Sequence, residues 1–223
     1  LIMTSRHGAV GSIFGYISKA PNGNIVLAAT DVNASGPQYA YTSDIKIYIS
    51  TDHGATFPLQ PRATLPTNPI NGNWPSAPVR FLSNGDWILP GYYRDNVNVG
   101  NFPCGFWRST DSGVTWTEHE LAFPIDWRAF NEIDIVERTD HSLLAVARVD
   151  TIEGVPGQMG QLFYTESFDY GHTWTTPQLM GIPGHSPALI RWSDGSIMLG
   201  CRRLSVTGNY TSVFISEDGV NFQ

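Results

Sequence analysis

Lysine is nearly absent from this chain of 223 residues: only Lys19 and Lys46 stand among its 13 basic residues, and the formal charge is −7. An acidic chain lacks the basic surface that phosphate backbones require, which argues against nucleic acid as a partner. Arginine carries almost all the positive charge. Its planar fork suits bidentate recognition of carboxylates, although a biased genome composition would explain the same imbalance. Cysteine is scarce too. Cys104 and Cys201 fall in strand-like segments of different repeats and read as buried free thiols, so neither a reducing nor an oxidising compartment is required. No run approaches 18 apolar residues, so no segment is long and apolar enough to span a membrane as a helix. The six histidines show no metal-ligand spacing, and neither metal nor cofactor is expected. The opening Leu1–Arg6 lacks the layout of a signal peptide and reads like sequence from within a domain.

What the chain has in abundance is turns, with 22 glycines and 15 prolines, and one turn occurs four times. Ser50-Thr51-Asp52-His53-Gly54-Ala55-Thr56-Phe57 is followed by Ser109-Thr110-Asp111-Ser112-Gly113-Val114-Thr115-Trp116. Ser167-Phe168-Asp169-Tyr170-Gly171-His172-Thr173-Trp174 is the third copy, and Ser216-Glu217-Asp218-Gly219-Val220-Asn221-Phe222 the fourth, one residue shorter. The common form is S-x-D-x-G-x-T-(W/F). Ser and Asp side chains accept backbone N–H groups a few residues on and close the turn, while Gly supplies a positive φ. The aromatic is expected to begin the next strand and fill an apolar gap beside it. Asp52, Asp111, Asp169 and Asp218 are therefore structural staples.

A second periodic signal precedes each box. Asn22-Gly23, Asn84-Gly85, Asp140-His141 and Asp194-Gly195 lie between apolar, β-branched runs, and three of the four are the strongest short-range hairpin signal. The first strands of these hairpins are read at Ile13–Ser18, Pro78–Leu82, Ile133–Glu137 and Ala188–Trp192. A third strand then leads into each box, and the box turns it into a fourth. Box aspartates fall 59, 58 and 49 residues apart. Four-stranded antiparallel units of that size, repeated radially, make an all-β propeller, which avoids long open sheet edges. The chain reads as one propeller domain over 1–223 with blades at about 11–60, 75–120, 130–178 and 185–223. Six such blades would need roughly 350 residues, so the expectation is four consecutive blades from a longer propeller.

Topology places the candidate site. Hairpin turns and boxes share one end of every sheet, while long irregular loops occupy the other, where function is expected. Around Asp140-His141, Glu132 and Arg148 are near mirror images, so both sit at the open end of one hairpin. Arg202 takes the place of Arg148 in the next repeat, followed by Arg203. Tyr92 takes it in the repeat before, followed by Arg94 and Asp95. Trp127 lies in a linker at the same end. Several arginines with few acids to neutralise them would suit a substrate carboxylate. A Glu132–Arg148 ion pair serving the hairpin alone accounts for those two residues equally well.

The boxes resemble the Asp-boxes of sialidases (neuraminidases) and their BNR-repeat relatives, and the resemblance covers nearly the whole chain. Asn84-Gly85-Asp86-Trp87-Ile88-Leu89-Pro90-Gly91-Tyr92 is similar to the third-blade segment of sialidases. Asn131-Glu132-Ile133-Asp134-Ile135-Val136-Glu137 through Ala147-Arg148 is similar to the segment with the catalytic glutamate and one arginine of a triad. Gly184-His185-Ser186-Pro187-Ala188-Leu189-Ile190 through Cys201-Arg202-Arg203 is similar to the blade that follows. The resemblance implies a six-bladed propeller and an exo-α-sialidase that retains configuration through a tyrosine nucleophile. It implies Glu132 as the base that activates the tyrosine, Arg148 as a carboxylate ligand and Arg202 or Arg203 as another. It also implies a sialylated or other acidic glycan as partner and a secreted or extracytoplasmic setting. No R-I-P arginine stands at Ile13-Phe14-Gly15, and Pro37-Gln38-Tyr39-Ala40-Tyr41 holds no acid/base aspartate. Those groups and the tyrosine are expected outside residues 1–223. A glycan-binding propeller without catalysis, or an enzyme for another acidic sugar, is the alternative.

Overall fold

A computed structural model describes residues 11–33, 44–66, 73–93, 103–125, 129–149, 160–205 and 208–223. All of its regular elements are strands, and adjacent strands pair antiparallel in four sheets. The first sheet runs β1 (Gly11–Lys19), β2 (Ile25–Asn33), β3 (Ile45–Ser50) and β4 (Ala63–Thr64) in chain order. The second contains β5 (Asn73–Pro75), β6 (Arg80–Phe81), β7 (Trp87–Tyr93), β8 (Cys104–Ser109) and β9 (Glu120–Leu121). The third is β10 (Phe130–Glu137), β11 (Leu143–Val149), β12 (Gln161–Ser167) and β13 (Gln178–Pro183). The fourth is β14 (His185–Arg191), β15 (Ile197–Ser205) and β16 (Gly208–Ser216). Beyond β16, Ile215 and Gln223 exchange two backbone hydrogen bonds of 3.0 Å, a rudimentary fourth partner. These meandering sheets are the blades of a β-propeller. The chain forms two compact units, one built largely on the first and second sheets, the other on the third and fourth.

Each unit has its own core. Val26, Ala28, Ile45 and Ile47 of the first sheet pack with Val79, Trp87, Leu89 and Trp107 of the second, and the Trp107 indole donates to the Pro66 carbonyl at 2.9 Å. In the other unit Val136, Leu144, Val146 and Leu162 meet Leu189, Ile197, Leu199 and Cys201. The unbroken apolar run Leu143–Ala147 is buried at every position, as a strand covered on both faces should be. Cys104 and Cys201 are both buried free thiols, and burial pushes both thiol pKa values up.

Two expectations about strands need correction. The Pro78–Leu82 strand shrinks to β6, Arg80–Phe81, and a separate short piece before it, β5, also pairs with β7. Pro75 and Pro78 lack N–H donors, so no continuous ladder can run through them. Opposite Pro75, position 91 accepts only glycine, since a Cβ there would overlap the Trp74 carbonyl and the Trp107 ring. Nor does the box aromatic begin the next strand. Phe57, Trp116 and Trp174 precede β4, β9 and β13 by several residues. The Trp174 indole turns back to donate to the Gly171 carbonyl at 3.0 Å, and Trp116 does the same to Gly113 at 3.4 Å.

The boxes close as side-chain chemistry dictates. Thr115 donates its backbone N–H (2.8 Å) and hydroxyl (2.7 Å) to Asp111, while the Ser109 hydroxyl donates to Asp111 and accepts from the Gly113 N–H at 2.9 Å. Asp52 and Asp169 repeat the pattern with Thr56 and Thr173. In the shortened fourth copy Asn221 takes the threonine's place, donating through its backbone and side chain to Asp218. These bonds favour the ionised carboxyl. The Ser50 hydroxyl, with Thr56, holds Asp52 at about 2, and the Thr115 backbone N–H with its hydroxyl holds Asp111 at about 2. At Asp169 desolvation is the largest influence and pushes upward, yet the Thr173 and Ser167 bonds outweigh it and leave the group at about 2. A carboxyl lowered by folding contributes stability that is complete above its unfolded value of about 4 and is lost as pH falls through the folded value. These carboxyls face solvent, which screens the effect, so denaturation midpoints should fall modestly between pH about 4 and about 2, and Asp111→Asn should flatten part of that fall. A midpoint that stays level through this window would show that the box bonds do not form.

Candidate functional site

The site lies at the end of the third and fourth sheets remote from the boxes, where two β-bulges occur at matching places. In the third sheet Asn131 faces Arg148 and Ile133 faces Ala147, which leaves Glu132 as the extra residue. In the fourth, His185 faces Arg202 and Ala188 faces Gly200, with Ser186 inside the irregularity. Glu132 has φ 45° and Ser186 φ 50°. Side chains other than glycine rarely occupy this left-handed region, and holding one there costs about 1–3 kcal/mol. Bulges of this kind re-aim a side chain at the end of a strand.

The two bulges meet. Glu132 Oε2 accepts the Ser186 backbone N–H at 2.8 Å and lies 2.8 Å from Arg148 NH1. Arg148 Nε donates to Asn131 Oδ1 at 2.8 Å, and its NH1 reaches His185 Nδ1 at 2.7 Å. Since a guanidinium nitrogen can only donate, Nδ1 accepts and the His185 proton sits on Nε2. The guanidinium plane is thus fixed by Asn131, Glu132 and His185. The pair is largely withdrawn from solvent, with side-chain exposures of 15% for Arg148 and 21% for Glu132. One strand turn below, buried Asp134 accepts the Ile135 N–H and the Leu189 N–H, each at 2.7 Å, and so joins β10 to β14 a second time. Gly160 presses on the cluster from behind: a Cβ there would come within 2.8 Å of His185 Nε2 and 3.2 Å of Arg148 Cγ.

The structure brings together two of the residues read from sequence, Glu132 and Arg148, and leaves others apart from them. Arg202, although the Cα partner of His185, is solvent-exposed. Arg203 is half-buried, with its guanidinium 5.7 Å from the centroid of the Tyr210 ring. Neither forms a hydrogen bond or ion pair with Glu132 or Arg148 among the described residues. Tyr92 belongs to the first unit, where its ring stacks on Trp74 with centroids 5.5 Å apart. Arg94, Asp95 and Trp127 lie outside the described residues. Sequence reasoning missed Asn131, His185 and Ser186. The visible signal was positional, since Asn131 and His185 each stand opposite an arginine, Arg148 and Arg202, at the same step of successive hairpins. Among the described residues no cluster of His, Cys, Asp or Glu could hold a metal ion.

Comparison with known proteins bears on this geometry. No curated protein sequence matches the chain. Among solved structures, a protein of unknown function from Dyadobacter fermentans is similar at 18% identity and a TM-score of 0.73, over 94% of this chain and 62% of that one. A Hadza microbial sialidase is similar at 16% identity and a TM-score of 0.66, over 93% of this chain and 44% of that one. An α-L-arabinanase from Penicillium chrysogenum, solved with arabinobiose, gives 17% identity and a TM-score of 0.69, over 94% and 64%. The chain therefore spans between 44% and 64% of the length of these three proteins. Likeness at such identities establishes the fold that they share. The model of the BNR repeat-like domain matches residues 13–223. With Asp-boxes in every sheet and that match across nearly its whole length, the chain belongs to the BNR repeat-like domain family.

Proposed function

We propose that the protein carrying this chain is a glycoside hydrolase of the exo-α-sialidase type, releasing a terminal acidic sugar with retention of configuration. The observation that carries the reading is the Glu132–Arg148 pair of 2.8 Å, held in a bulge at the loop end of the sheets. A carboxylate base beside an arginine that can meet a sugar carboxylate is the pairing such chemistry needs. In the proposed reaction a tyrosine oxygen attacks the anomeric carbon while Glu132 takes its phenolic proton. An acid protonates the leaving glycosidic oxygen, and water then displaces the tyrosine. The tyrosine and the acid belong, in this reading, to blades outside residues 1–223. The sialidase among the similar structures supports it; the arabinanase widens the range of sugars to be tested.

A second reading, a glycan-binding propeller without turnover, is favoured by one observation. Glu132 already accepts both Arg148 and the Ser186 N–H, as a purely structural staple would. Fluorogenic α-sialoside, β-glucuronide and α-L-arabinofuranoside substrates offered to the full-length protein separate these possibilities. Sialoside cleavage is the expected result. Turnover of the arabinofuranoside alone would overturn the acidic-sugar assignment, and turnover of none would leave the binding module.

A further inference from the structure

The repeat supplies its own comparison for the clefts between neighbouring sheets at the box end. In the unit of the third and fourth sheets, Arg138 stands at the start of the hairpin turn, where its N–H meets the Ser142 carbonyl. Its side chain crosses to the next sheet. NH1 donates to Glu166 at 2.5 Å, and NH2 to the carbonyl of Gly219, the glycine of the following box, at 3.1 Å. Glu166 is the residue before the box serine, Ser167. This pair plugs the cleft.

The unit of the first and second sheets has the same two positions with different occupants. Ala20 begins its hairpin turn, with its N–H on the Asn24 carbonyl at 2.8 Å, and Ile49 precedes the box serine, Ser50. Neither can bridge to the next sheet. Ala20 is buried in the apolar core, and beside Ile49 a cleft of about 520 Å³ lies open. Ile49 and Trp87 form its apolar floor, while Asn24, Thr51, Gln60 and Arg62 stand around it. Gln60 and Arg62 are exposed, and among the described residues their side chains make no hydrogen bond or ion pair.

We propose that this cleft binds a carboxylated saccharide, at a site separate from Glu132 and independent of the hydrolase reading. The volume lies within the about 300–1,000 Å³ of small-molecule sites. A sugar ring has a CH-rich face for the Ile49 and Trp87 floor, and equatorial hydroxyls that both donate and accept, as the amides of Asn24 and Gln60 do. Among the described residues Arg62 is the cation lining the cleft, in a chain of net charge −7. One guanidinium matches a carboxylate through its two-pronged fork and suits a monoanion better than a phosphate dianion.

The test uses the ¹⁵N-labelled protein and three probes: D-glucuronate, D-glucose and acetate. Glucuronate should perturb the side-chain amides of Asn24 and Gln60 and the Trp87 indole, with glucose and acetate binding far more weakly. Arg62→Ala should weaken glucuronate binding about 10- to 100-fold, the usual weight of a hydrogen-bonded charge. Ala20→Arg combined with Ile49→Glu copies the Arg138–Glu166 plug and should abolish it. The surface change Gln60→Ala gives a second reading that does not depend on the core accepting that plug. Glu132→Gln should leave these shifts untouched, so the cleft and the hydrolase reading fail separately. Equal shifts from glucose and glucuronate would overturn the carboxylate assignment. Absence of shifts at Asn24 and Gln60, or undiminished binding by the folded plugged variant, would overturn the site.

Discussion

Glu132→Gln is expected to lower sialoside turnover by the full-length protein about 10²- to 10⁴-fold, the usual worth of general-base assistance. The amide keeps the side chain's size and can still accept the Ser186 N–H, now made at 2.8 Å. What it loses is the charge that balances Arg148 and that, in the hydrolase reading, would draw a proton from the nucleophile. Glycan affinity should change much less. Arg148→Ala should reverse the emphasis and weaken binding by roughly 2–5 kcal/mol, provided the sugar carboxylate meets it out of water. Turnover and equilibrium binding measured on both variants decide the matter. Small and equal effects in the two assays would make the pair a staple of the hairpin and leave the hydrolase reading without its central residue.

The largest effect on stability is expected at Arg138. It is 8% exposed and holds Glu166, Ser142 and the Gly219 carbonyl together. Truncation to alanine removes the partner of a carboxylate and of a carbonyl in a site water enters poorly. Breaking a fully buried pair costs about 3–5 kcal/mol. Glu166 keeps 22% of its side chain in solvent, so the lower end, about 3 kcal/mol, applies. For a chain of this size that corresponds to a fall in melting temperature of about 6–12 °C. Arg138→Lys should recover part of it by retaining charge without the fork. A loss under about 0.5 kcal/mol, the range of ordinary surface changes, would mean the arginine only covers the cleft.

The parts of this molecule legible in the sequence are those whose causes are local. Each box is closed by atoms two to four residues apart, so Ser, Asp, Gly and Thr in the right order predict the turn. Hairpin spacing brought Glu132 to within one residue of the position opposite Arg148, which Asn131 holds; the bulge at Glu132, invisible to counting outward from the turn, then turns its carboxylate to the guanidinium. The rest depends on distant chain. Ser186 donates to a carboxylate 54 residues earlier, and only because both strands bulge at that point. Position marks His185 as the residue opposite Arg202, but nothing in Gly184-His185-Ser186-Pro187 signals that its ring will meet the Arg148 guanidinium of the preceding sheet. The broken strand of the second sheet is a different case. Its prolines were visible, yet the apolar pattern of Pro78–Leu82 outweighed them until Gly91 and Trp74 showed how closely the backbones approach.

The plug formed by Arg138 and Glu166, set beside Ala20 and Ile49, has a consequence for how such a protein changes over generations. The two positions belong to hairpin and box, which recur in each sheet, yet their side chains differ between the copies. A duplicated blade thus carries a location where a pocket can differ from its neighbour's, bordered by hairpin and box turns. A designer could use it in the same way, opening one seam at a time in a scaffold whose folding is left to the other blades.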